Sequence, residues 1–184
     1  MAETQGPRYL PGDPQPPEDL ARMIRVDQAG EFGAVRIYAG QMAVLGRRGS
    51  GAVIREMAEQ EQEHLDRFNG LMVERRVRPT VLSPLWHVAG YALGAGTALL
   101  GERAAMACTV AVEDVIDEHY EKQAQKLGDT EPELKSVIEQ FQADEQAHRD
   151  TALEHGATGA PGYPVLSAAI KAGSRLAIWL SERI

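Results

Sequence analysis

Residues 106–152 read MACTVAVEDVIDEHYEKQAQKLGDTEPELKSVIEQFQADEQAHRDTA. Apolar positions recur there at steps of three and four, through Met106, Thr109, Ile116, Tyr120, Ala124 and Leu127, and after a break through Leu134, Ile138, Phe141 and Ala152. That period puts each set on one face of an α-helix. Gly128 and Asp129 mark the turn between them, and the spacing of Thr130 and Glu133 predicts a capping box at the start of the second helix. The seams also carry residues that an apolar core rejects. Glu113 interrupts the first, and Glu145 and His148 interrupt the second.

The N-terminal half repeats this arrangement. One stripe runs through Ile24, Val35, Tyr38, Met42 and Leu45 with Glu31 in it; the next runs through Ile54, Met57, Leu65, Phe68 and Met72 with Glu61 and His64 in it. Glu113 follows Glu31 by 82 residues, and Glu145 follows Glu61 by 84. Glu31 and Glu61 are equidistant from Gly46, at the expected turn, as Glu113 and Glu145 are from Asp129. In an antiparallel hairpin such residues meet at one height. A single E-x-x-H on a polar helix is ordinarily a solvated face, and Glu59, Glu63 and Asp144 are expected to be solvated. Two copies on apolar seams, each paired with an upstream glutamate across a turn, are a different matter.

Buried carboxylates repel one another and are costly unless paired or coordinated. Two divalent cations would balance four of them. Glu and His three positions apart lie on one helix face. Carboxylate oxygen with imidazole nitrogen, and no thiolate, suits iron or manganese better than structural zinc. The pattern predicts an all-α, ferritin-like four-helix bundle whose metal ligands are Glu31, Glu61, His64, Glu113, Glu145 and His148.

Composition excludes several alternatives. A net charge of −8 and 5% aromatic residues argue against a nucleic-acid partner. One cysteine, Cys108, excludes an internal disulfide framework and thiolate clusters, and it reads as a small core residue. The first 17 residues, crowded with Pro7, Pro11, Pro14, Pro16 and Pro17, suit a flexible tail and contain no signal-peptide core. Residues 18–184 are expected to form one domain, with helical-hairpin repeats over 18–76 and 102–156, an apolar insert over 79–101 and a C-terminal helix over 165–181.

The insert, PTVLSPLWHVAGYALGAGTALLG, holds no charge and is long enough to span a bilayer. A single crossing would put Glu31 and Glu61 on one side and Glu113 and Glu145 on the other. The expectation is therefore a crossover or an interfacial hairpin of broken helix, associated peripherally with a membrane. Arg75, Arg76 and Arg78 beside it could meet anionic headgroups or cap a helix end. Gly94-Ala95-Gly96 lacks the preceding strand of a dinucleotide loop and suggests close helix packing. His119 and Tyr120 lie two turns beyond Glu113, within reach of the cavity. His87 and His155 belong to no constellation.

The runs IRVDQAGEFGAVRIYAGQMAVLG (24–46), EQEHLDRFNGLMVERRVRPTVLSPLWHVAGYALGAGTALLG (61–101), ACTVAVEDVIDEHY (107–120) and LSERI (180–184) closely resemble the demethoxyubiquinone hydroxylases. The resemblance covers residues 22–184 and includes all six ligand positions. It implies a di-iron monooxygenase that hydroxylates a demethoxyubiquinol ring with molecular oxygen in ubiquinone biosynthesis. Two irons per chain, NADH as electron donor and a polyprenyl quinone substrate follow from it. So do Glu61 and Glu145 as bridging carboxylates, and catalytic roles for His119 and Tyr120. Asp27 and Asp144 are expected, from helix spacing, beside the ligand histidines. The implied location is peripheral, on the cytoplasmic face of a bacterial inner membrane or the matrix face of the mitochondrial one. A homo-oligomer or a ubiquinone-biosynthesis complex is a possible assembly. The main alternative from another class is a ferritin- or rubrerythrin-like iron-binding or storage protein.

Overall fold

The computed structural model describes residues 17–184, so the expected proline-rich tail lies, apart from Pro17, outside the described residues. Six helices follow in order: α1 (Glu18–Leu45), α2 (Gly51–Arg75), α3 (Ser83–Leu99), α4 (Glu102–Leu127), α5 (Pro132–Glu154) and α6 (Tyr163–Ser181), with a short 3₁₀ turn at Ala157–Gly159 before α6. No strand occurs among the described residues. The three-four seams have become the buried faces. Ile24, Tyr38, Ile54, Phe68, Met106, Tyr120, Leu134 and Ile138 are almost wholly inaccessible.

α1 with α2 and α4 with α5 form two hairpins. One apolar cluster fills the bundle around Leu20, Phe68, Leu71, Leu127 and Phe141; another fills the opposite end around Leu45, Ile54, Met57, Met106 and Ala152. The charged seam positions lie between the two, so each cluster seals one end of the site.

Within the 79–101 insert, Ser83–Leu99 form one unbroken helix, α3, so the insert is a crossover and not a broken hairpin. At 17 residues α3 is about 26 Å long, short of the roughly 30 Å hydrocarbon core. No helix among the described residues is long and apolar enough to cross a membrane. Its glycines serve contact with α1. A Cβ on Gly94 would collide with the Ile37 carbonyl, and one on Gly90 would stand 2.9 Å from the Gly33 carbonyl oxygen. Gly96 meets nothing within 4 Å, so the packing reason applies to only one glycine of the Gly94-Ala95-Gly96 run.

The expected capping box does not form. Pro132 opens α5, and the Thr130 hydroxyl turns back to donate to the Leu127 carbonyl at 2.7 Å. Arg75 is buried and donates to Glu131 at 2.9 Å, which ties the end of α2 to the α4–α5 turn. It is therefore not available to headgroups.

Candidate metal centre

Two overlapping groups converge at mid-height of the bundle: Glu31, Glu61, His64 and Glu145, and Glu61, Glu113, Glu145 and His148. Within each, one potential ligand atom per residue lies within 4.8 Å of the others. All six sequence-selected residues are thus brought together, and all are buried. Glu61 and Glu145 belong to both groups.

Helix geometry explains the convergence. Glu61 and His64, like Glu145 and His148, sit one turn apart on inward faces of α2 and α5. His64 Nδ1 stands 3.1 Å from a Glu145 oxygen and 3.7 Å from Glu31; His148 Nδ1 stands 3.0 Å from Glu61 and 3.2 Å from Glu145. Each ring turns its Nε2 away from the centre, His64 to Asp144 at 3.2 Å and His148 to the Gln60 amide oxygen at 2.7 Å. Phe141 stacks on His64 with ring centroids 3.8 Å apart and fixes its plane.

Asp144 is therefore not merely solvated, unlike exposed Glu59 and Glu63. Asp27 reaches neither His64 nor His148. It accepts from Gln123 at 2.7 Å and lies 3.3 Å from His119. Tyr120 donates to Glu31. Tyr38, which the sequence reading treated as a core residue only, donates to Glu113 at 3.0 Å. The repeat could have found it, because Tyr38 and Tyr120 are separated by the 82 residues that separate Glu31 and Glu113.

The electrostatics show what the residues lack. Among the described residues, neither Glu61 oxygen finds a hydrogen-bond donor, nor does one oxygen each of Glu31 and Glu113, all fully buried. Burial, then the neighbouring carboxylates, hold Glu61 and Glu113 well above the ordinary carboxylate range. Burial also raises Glu31, against the pull of His64. Glu145 moves the other way: burial alone would raise it, but His148 and His64 bring it down to about 2. Burial disfavours the charged form of His64, yet Glu145 and Glu31 lift it to about 10. Carboxylate oxygens without donors, converging with two imidazole nitrogens, form a donor set that fits two hard-to-borderline divalent cations.

An apolar cavity of about 350 Å³ lies beside the centre, between α1, α3, α4 and α6. Ala34, Ile37, Val112 and Ile116 line it on the helices that carry Glu31 and Glu113, and Trp86, Leu93, Ala177 and Ile178 line it on α3 and α6. Gly30, Gly33 and Gly173 also border it, and a Cβ on any of them would meet nothing within 4 Å. A smaller, polar cleft of about 200 Å³ reaches His119 and is bordered by Arg22, Lys122 and Lys126.

The chain is 60% identical over 176 residues to the 3-demethoxyubiquinol 3-hydroxylase of Rhodospirillum rubrum, covering 95% of this chain and 83% of that protein. It is 58% identical over 167 residues to the human mitochondrial NADPH-dependent 3-demethoxyubiquinone 3-hydroxylase, with 89% and 77% covered. It is 46% identical over 182 residues to the mitochondrial 5-demethoxyubiquinone hydroxylase of Saccharomyces cerevisiae, with 90% and 78% covered. The family described as ubiquinone biosynthesis protein COQ7 matches residues 18–181, and the chain belongs to that family.

Proposed function

We infer that the protein is a monooxygenase that hydroxylates the ring of a demethoxyubiquinol, using two irons held by Glu31, Glu61, His64, Glu113, Glu145 and His148. The observation that carries this reading is a buried carboxylate–histidine cluster with donorless oxygens beside an apolar cavity, in a chain with hydroxylase relatives. Glu61 and Glu145, common to both groups, would contribute to holding both ions. Two ferrous ions would supply the electrons and open coordination positions through which dioxygen, otherwise spin-barred from reacting with a closed-shell ring, becomes reactive. One oxygen atom enters the ring C–H bond as hydroxyl, and the other leaves as water with two electrons and two protons.

The chain's own groups set the conditions. Asp144 and Gln60 accept from the outer nitrogens of His64 and His148, so Nδ1 of each ring faces inward, where it would offer its lone pair to a cation once the inward proton of His64 has left. Tyr38 and Tyr120 each hold one oxygen of a terminal glutamate and leave its second oxygen free. Val112 and Ile116, near Glu113 on α4, line the cavity with hydrocarbon, so a ring held there would approach the centre shielded from bulk water. The electron donor, NADH, would approach the centre from the side of the polar cleft. The cleft ends at His119, which stands beside Asp27, and Tyr120 next to it bonds Glu31.

The polyprenyl tail leaves the cavity between α3 and α6. Both helices expose large apolar side chains, including Leu85, Val88, Leu99, Leu176 and Trp179. This surface attaches the protein peripherally to a membrane, on the cytoplasmic face in a bacterium or the matrix face in a mitochondrion.

Single turnover tests the reading. Iron-loaded, reduced protein should convert a short-tailed demethoxyubiquinol under ¹⁸O₂ to product carrying one labelled oxygen, and NADH or NADPH should sustain further turnovers. Mineralisation of added ferrous iron without hydroxylation would replace it with the storage reading.

A further inference from the structure

The two hairpins exchange their supports. Tyr38, on the helix of Glu31, bonds Glu113, and Tyr120, on the helix of Glu113, bonds Glu31. Gln123 donates to Asp27 at 2.7 Å, and its counterpart Gln41 donates to Thr109 at 3.4 Å. The residue just before each E-x-x-H glutamate crosses as well: Asp144 reaches His64, and Gln60 reaches His148. Each of these residues stands 82 or 84 positions from its counterpart, so the exchange follows the internal repeat.

The exchange is symmetric in geometry but not in charge. Both acids, Asp27 and Asp144, fall at the Glu31–His64 end, while the equivalent positions at the Glu113–His148 end are neutral Thr109 and Gln60. Asp27 has His119 at 3.3 Å to offset it. Asp144 faces only the ligand ring of His64 among the described ion pairs, so it carries the difference. A carboxylate accepting an imidazole N–H makes the opposite ring nitrogen a stronger donor than an amide oxygen does.

We propose that the two metal positions are inequivalent: the Glu31–His64 position, supported by Asp144, binds a divalent cation first and more tightly, and Gln60 keeps the Glu113–His148 position weaker. This rests on the two-metal reading above and adds an order of filling to it. Asp144 and Gln60 are positioning residues, acting through the rings they hold.

Stepwise addition of Mn(II) to the metal-stripped full chain, followed by calorimetry and by the electron paramagnetic resonance of the bound ion, tests it. The wild type should fill in two resolved steps. Glu113→Ala should keep the first step and Glu31→Ala should lose it. Asp144→Asn should weaken the first step by about tenfold or more, the usual effect of losing such a partner. Asp144→Asn combined with Gln60→Glu should reverse the order, so that in this background Glu31→Ala keeps the tight step. Gln60 is exposed and the Asp144 side chain is 35% exposed, so both changes leave the core intact, which melting of the metal-free variants verifies. Two equal steps in the wild type, or an order unchanged by the swap, would overturn the proposal while the two-metal site stands. Failure to bind Mn(II) tightly at all would overturn the two-metal reading, and this one with it.

Discussion

Tyr38 lies two turns along α1 from Glu31, yet its hydroxyl donates to Glu113 on α4, at 3.0 Å. The bond spans the two hairpins inside the core, where both groups are buried. Tyr38→Phe removes the donor and leaves one more Glu113 oxygen unsatisfied, a loss of about 1–3 kcal/mol. Urea unfolding of the iron-loaded variant should show that loss, with iron depleted by up to one atom per chain. A variant as stable as wild type would mean the hydroxyl does not support the site.

Metal-free protein should become less stable as pH rises from 5 to 9, and iron-loaded protein much less so. Glu61, Glu113 and Glu31 have folded values raised above the unfolded ones, so the fold favours their protonated forms. Their contribution is present below the unfolded carboxylate range and is lost as pH rises. His64, lifted to about 10, has the same sign, losing its contribution above its unfolded value near 6.5. Glu145, lowered to about 2, acts oppositely, but only below the unfolded value near 4.5. Melting temperatures of both forms across this range check the slope, and iron uptake at neutral pH should release protons.

Replacing either shared carboxylate should empty both metal positions. Glu61→Ala and Glu145→Ala should retain little iron by elemental analysis, whereas Glu31→Ala should retain about one atom per chain. Full occupancy in the Glu145→Ala protein would rule out a bridging role.

Charges on the outer faces of α3 and α6 should release the protein from membranes without disturbing iron. Leu85 and Trp179 are about half exposed, at 52% and 51%, so Leu85→Glu with Trp179→Glu alters the surface and not the core. Flotation with anionic vesicles should show the variant unbound at full iron content. Leu93 is unsuited to this test because it lines the cavity.

Gly33 offers a change in which stability and turnover move apart. A Cβ there enters open space in the cavity, so Gly33→Ala should stabilise α1 by about 0.5–1 kcal/mol. Gly33→Leu should obstruct the ring's path, lowering turnover of the quinol while iron content stays unchanged. Undiminished turnover in Gly33→Leu would place the substrate elsewhere.

The bundle and six converging residues were legible in the sequence because both have a period. Apolar steps of three and four specify a helix face, and an acid or histidine on that face must enter the core. Equal distances from Gly46 and Asp129 set the heights at which Glu31 meets Glu61 and Glu113 meets Glu145. The same repeat contained Tyr38, overlooked because a tyrosine on an apolar seam needs no special explanation.

Other features depended on contacts between segments far apart in the chain. Thr130 and Glu133 had capping-box spacing, but Pro132 opens the helix and the threonine hydroxyl bonds Leu127 instead. The glycines of 79–101 suggested a broken helix in isolation; against α1 they permit close approach by an unbroken one. Asp27 pairs with His119, and Asp144 with His64, because partners 92 and 80 positions away are set by how the hairpins dock. The sequence by itself determined the helices, their buried faces and the six residues that converge, since those follow from local periodicity and the cost of burying charge. Only the tertiary structure decided which histidine has an acid behind it, which tyrosine holds which glutamate, and where the apolar cavity opens, because side-chain partners across helices depend on docking geometry that helix period alone does not specify.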